Sequence, residues 1–76
     1  MQTITIRRRA EKITLGQFLK VAGVAHTGGE GKGLIQAGRV LVNGEPEKRR
    51  GRRLADGDRV LLAGGNDGDV FLVAYD

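Results

Sequence analysis

Between Lys48 and Arg53 the chain reads Lys-Arg-Arg-Gly-Arg-Arg, five cations in six residues. A planar guanidinium offers paired N–H donors that match the oxygens of a phosphate, and four of these five cations, Arg49, Arg50, Arg52 and Arg53, are arginine. Lys20, Lys32 and Arg39 lie upstream. Residues 1–64 hold all 13 Lys and Arg against six acids, a local balance of +7 (13 − 6), while the last 12 residues carry three aspartates and no base. A basic body of this kind fits a polyanionic partner, and the bland alternative is a generic basic surface. With only Phe18, Phe71 and Tyr75 as aromatics, stacking of single-stranded bases is a poor fit. Phosphate contact with a folded RNA is a better one.

Other chemistries lack their parts. The chain has no Cys, no Ser and a single His, so nucleophilic triads cannot be assembled. His26 has no convergent ligands for a metal, and it reads as a turn residue or a phosphate or base contact. Asp56-Gly57-Asp58 and Asp67-Gly68-Asp69 read as turns, because neither continues into a calcium-loop pattern. The glycines from Gly28 to Gly33 miss the Walker pattern and carry Glu30 where a triphosphate would sit. The expectation is therefore no catalytic residue, no metal and no cofactor. Without cysteine, neither disulfides nor a thiolate zinc site can hold the fold. No apolar run approaches the ~20 residues of a membrane helix, and the N-terminal stretch reads as strand and then as a basic connection at Arg7-Arg8-Arg9. A cytoplasmic location is expected.

The elements that must position these cations are written most clearly from Thr14 to Gly44. Thr14 and Gln17 form a capping box, Ile13 and Phe18 a hydrophobic staple, and Leu15, Phe18, Leu19 and Ala22 an inward stripe that Gly23 closes. Lys20 falls off the stripe, toward solvent. Thr27 and Glu30 repeat the capping device for a second helix that ends at Gly38. Its glycines, Gly28, Gly29, Gly31 and Gly33, each cost up to about 1 kcal/mol relative to alanine, so Leu34 and Ile35 must hold it against helix one. Those glycines leave two explanations open, close packing on helix one or close approach of a ligand. Thr3 to Ile6 predicts a strand with Ile4 and Ile6 inward, and Arg39 to Val42 another. Asn43-Gly44 predicts a hairpin whose return strand starts at Pro46. The basic run is then an exposed edge or a loop. Arg59 to Ala63, with Val60 and Leu62 inward, and Val70 to Tyr75 predict two strands that pair with each other across the turn region Gly64 to Asp69.

The order of these elements and several of the words resemble the S-four (S4) RNA-binding domain from Ile13 to Val60. The residues carrying the resemblance are Leu15, Leu19, Gly23, Thr27 to Lys32, Leu34-Ile35, Gly38, Val40, Val42-Asn43-Gly44, Gly57-Asp58 and Val60. The stretches Thr14 to Lys20, Thr27 to Gly29, Val40 to Glu45 and Arg49 to Arg52 are more closely similar to the small stand-alone bacterial, YaaA- and YbcJ-like members. The resemblance implies RNA binding through the two helices and the following hairpin, with no catalysis. By position it carries over to Thr27, Lys32 and Arg39, the basic connection being an added surface. Many members have Ser-Arg at the start of helix two, whereas Thr27-Gly28-Gly29 has no cation there, which leaves Lys32 or Arg50 as the substitute.

The expected fold is α+β: one domain over residues 1–76, with two packed helices of the αL-type helix-turn-helix against a small, mainly antiparallel sheet. The expected function is non-catalytic recognition of structured RNA, rRNA or tRNA, by a monomer with ribosomal or ribonucleoprotein partners and no membrane contact. The RNA-contacting set is Lys20, Thr27, Lys32, Arg39, Lys48, Arg49, Arg50, Arg52 and Arg53. Charge reversal at Arg50 and Arg52 is expected to weaken RNA binding without unfolding. The alternative is a protein-interaction or assembly adaptor that uses the same basic face, or an exposed strand edge, on an acidic partner.

Overall fold

Thr14 fixes where the first helix begins. Its Oγ1 accepts from Gln17 N at 3.2 Å, and its own amide donates to Gln17 Oε1 at 3.0 Å, so two amides that a helix start leaves orphaned are satisfied reciprocally. The computed structural model describes residues 1–7, 11–64 and 70–76. In it α1 spans Leu15–Val21 and α2 spans Gly28–Gln36. At α2 only half of the expected box forms: Thr27 Oγ1 accepts from Glu30 N at 3.1 Å, and no bond returns from the Glu30 side chain to the Thr27 amide.

Both helices close in the same way. Gly23 (φ 78°) and Gly38 (φ 75°) take the left-handed conformation that glycine adopts without a Cβ penalty. Gly23 N donates to Lys20 O and Val24 N to Leu19 O, while Gly38 N donates to Ile35 O and Arg39 N to Leu34 O. These are paired Schellman closures, which turn the chain sharply after each helix.

Five strands follow the order β1-β5-β4-β2-β3, with β1 at Gln2–Ile6, β2 at Val40–Val42, β3 at Glu45–Pro46, β4 at Arg59–Leu62 and β5 at Val70–Tyr75. β1 pairs in parallel with β5, and the other three pairs are antiparallel. Asn43 (φ 55°) and Gly44 (φ 89°) supply the two left-handed positions of a tight β2–β3 turn. Asn43 is also tied sideways: its Nδ2 donates to Asp58 Oδ1 and its Oδ1 accepts from Arg59 N. Asp58 accepts from Ala55 N, and Asp56 accepts from Tyr75 N. Turn chemistry thus occupies the Asp56-Gly57-Asp58 carboxylates. The expectations for Arg8, Arg9 and the Asp67-Gly68-Asp69 turn lie outside the described residues.

The core gathers Ile13, Leu15, Phe18, Leu19 and Ile35 from the helices and their approaches, with Val40, Val42, Leu54, Val60, Phe71 and Val73 from the sheet side. Phe18 meets Phe71 edge to face at 6.3 Å between ring centres, joining α1 to β5. Ile6 is buried as expected, whereas Ile4 and Leu62 are half-buried and pack on the margin. Tyr75 stitches three segments together, since its hydroxyl accepts from Ile13 N at 3.0 Å and donates to Leu54 O at 2.7 Å. The same hydroxyl fixes the chain just before α1 and just after the basic run.

Candidate nucleic-acid interface

The basic run is a loop, and backbone bonds hold it against the start of α1. Leu15 N donates to Arg52 O at 2.8 Å and Gly16 N to Arg50 O at 3.0 Å, so carbonyls of the loop satisfy two more first-turn amides. Beyond the run, Leu54 N donates to Ile13 O at 2.9 Å, and Thr14 faces Arg53 in an isolated antiparallel bridge. Glycine at position 16 lets the Arg50 side chain lie against the start of α1. A Cβ there would stand 2.6 Å from Arg50 Cγ and 3.6 Å from Arg50 O.

A buried carboxylate shapes the loop from below. Glu47 is 8% exposed. It accepts from Arg49 N (3.2 Å), Arg49 Nε (3.2 Å), Arg49 Nη2 (3.1 Å) and Arg52 Nη1 (2.9 Å). The Arg49 and then the Arg52 hydrogen bonds hold its pKa down, from the ordinary 4.5 to about 2, against the opposing effect of burial. Arg49 is pushed up by the same bonds. A folded-state pKa below the unfolded one makes Glu47 stabilising above pH 4.5, and that stabilisation is lost as pH falls toward 2. Denaturation midpoints measured down this range should fall in the wild type. They should fall less in Glu47→Gln, where the titrating group is gone.

The sequence-predicted cations therefore divide. Arg49 and Arg52 are committed to Glu47, although the Arg49 side chain remains 77% exposed. Arg53 pairs with Glu11 at 3.0 Å and donates to Lys12 O at 2.7 Å, bracing the segment before α1. Among the described residues, Lys20, Lys32, Arg39, Lys48 and Arg50 have no ion-pair partner. Lys20 and Arg50 come together across a groove of about 300 Å³ whose other lining residues are Thr14, Gly16, Gln17, Gly28 and Gly51. Thr27 stands next to that groove with its hydroxyl occupied by the α2 cap. Lys48 reaches toward Gly38 at the end of α2, and Arg39 toward Gly64 beyond β4. Lys32 is exposed on α2 and is not drawn into the groove.

The glycines of α2 divide as well. Gly31 is buried, and a Cβ there would lie 3.5 Å from the Ala25 Cβ and 3.8 Å from Leu19 Cδ1, ordinary contact with α1 and the connection after it. Gly28, Gly29 and Gly33 face open space. Of these glycines Gly31 alone packs toward α1, and even there a methyl would make ordinary contacts. Composition and spacing did not expose the role of Glu47. The available signal was its position two residues before Arg49 and five before Arg52, close enough to chelate both.

The protein is a two-layer α+β frame whose twin glycine-closed helices stand beside a groove lined by Lys20 and Arg50. The S4 domain profile matches residues 4–70. A probable ribosome maturation protein, RlbA, of Bacillus subtilis (strain 168) is 54% identical over 54 residues, which cover 71% of this chain and 76% of the relative. The chain belongs to the S4 domain family, a family of RNA-binding domains. Among the described residues no helix is long and apolar enough to cross a membrane.

Proposed function

We propose that this protein binds structured RNA, without catalysing a reaction on it, through the surface centred on the Lys20–Arg50 groove. The observation that carries this reading is the pairing of two cations, without ion-pair partners among the described residues, across a groove walled by Gly16, Gly28 and Gly51. Backbone without side chains lets a phosphate come close, and the cations meet it from both sides. Lys32, Arg39 and Lys48 extend the contact along the RNA backbone. Arg49, Arg52 and Arg53 contribute field and loop shape while held by their carboxylates. Thr27 sets the α2 start that forms one lip. The RNA is ribosomal, in keeping with the ribosome maturation role that the relative's name states for that protein, and the protein acts in the cytoplasm as a monomer.

A labelled RNA hairpin titrated at low salt tests this directly, with a single strand of equal length as the comparison. Saturable binding that prefers the hairpin supports the proposal, and no binding at low salt rejects it. The glycines give a sharper check. Gly33→Ala fills open space inside α2 and is expected to stabilise the fold by up to about 1 kcal/mol in thermal melts. Gly28→Ala places a methyl in the groove wall. It should lower hairpin affinity while leaving the melting temperature unchanged or raised.

A further inference from the structure

Alternation along the strands of a one-sided sheet should place polar residues on the face away from the core. Here it does not. Val40, Val42, Val60, Phe71 and Val73 point into the core, and the residues between them are Leu41, Leu61, Val70, Leu72 and Ala74. The registers place Leu41 opposite Leu61 and Leu61 opposite Val70, one apolar row across β2, β4 and β5. Leu72 stands in the next row, between Arg59 and Thr3. None of the five is among the apolar residues packed on the core, yet all are only half-buried. Strands that read apolar on both faces are characteristic of sheets covered on both sides.

We propose that this back face docks a protein segment carrying aliphatic side chains and a carboxylate, on the same ribosomal particle that supplies the RNA. Among its described strand residues the face has no aromatic ring and one cation, which makes it a poor surface for RNA. That cation is Arg59. Its side chain has no ion pair among the described residues, and it lines an open depression of about 500 Å³ with Asn43, Gly44, Leu61 and Val70. The acid beside it in the chain, Asp58, is occupied by Asn43 and Ala55. A second copy of this chain is a poor occupant. Among the described strand residues of its own back face, Thr3, Thr5, Leu41, Arg59, Leu61, Val70, Leu72 and Ala74, none is a carboxylate, so stacking these strands on their copies would bury Arg59 unpaired. A partner's Asp or Glu meets Arg59 while its aliphatic neighbours cover the Leu41–Leu61–Val70 row. The RNA-binding groove lies on the helix side, so both partners can be held at once. Only the choice of particle rests on the RNA reading.

The test installs a photo-crosslinking benzophenone amino acid in place of Leu72 and irradiates the full chain with purified bacterial ribosomal subunits. Hairpin RNA binding is titrated in parallel. The expected adduct is a protein peptide with Asp or Glu beside Leu, Ile or Val. Arg59→Glu, an exposed change with little risk to folding, should lower adduct yield about tenfold while changing hairpin affinity less than about twofold. Changing the partner's carboxylate to lysine should restore the yield with Arg59→Glu. Crosslinking to rRNA, crosslinking between two copies, or an adduct insensitive to Arg59→Glu would overturn the proposal, as would no adduct from protein that still binds the hairpin. Loss of hairpin binding with the protein adduct retained would instead reject the RNA reading and leave this surface standing.

Discussion

Lys20→Glu combined with Arg50→Glu is expected to lower affinity for an RNA hairpin by about 10- to 100-fold at moderate salt, the largest functional effect of any surface pair in the protein. Each change removes a phosphate-binding cation and puts a carboxylate in its place. Because the two line one groove, the phosphate that enters it meets repulsion from both sides. Neither residue holds the fold: both side chains are exposed, and neither has an ion-pair partner among the described residues. Melting temperature should therefore be nearly unchanged. Reversing Arg50 with Arg52, which the arginine run alone recommends, is a less clean experiment. Arg52 is bonded to the buried Glu47 at 2.9 Å, so Arg52→Glu sets two carboxylates against each other and disturbs the loop itself.

Phe18→Ala should produce the largest loss of stability, about 3 to 5 kcal/mol. Phe18 is fully buried, it packs edge to face on Phe71, and it shares the core with Ile13. Chains this short bury only about 60% of their unfolded surface, so a cavity at that junction removes much of a small stability margin. Circular dichroism melts should show the transition broadened or lost. A variant that melts like the wild type would mean the contact between α1 and β5 is not what holds the two layers together.

Much of this frame was legible in the sequence because its signals are local. Thr14 with Gln17, Gly23, Gly38 and Asn43-Gly44 each act within four residues, and the structure has them capping, closing and turning as their types dictate. Glu30 departs from its expected role, returning no bond to the Thr27 amide. The site was less legible because what sorts its cations acts across sequence distance. Nothing near Arg50 says that its carbonyl meets the Gly16 amide, or that Arg53 is spent on Glu11, 42 residues away. Within the run only Glu47 could have warned that Arg49 and Arg52 have a structural use. The parallel pairing of β1 with β5 is likewise invisible to periodicity, since it joins the two ends of the chain.

The most direct test of the central claim is the salt dependence of hairpin binding. Lys20, Lys32, Arg39, Lys48 and Arg50 are five cations free of internal ion pairs among the described residues. If they meet phosphates, log Kobs against log salt should fall with a slope of about −3.5 to −4.5. The Lys20→Glu, Arg50→Glu variant should give a slope shallower by about 1.5 to 2 units, one increment for each lost phosphate contact. A wild-type slope near zero, or a variant whose slope and affinity match the wild type, would contradict RNA recognition through this groove.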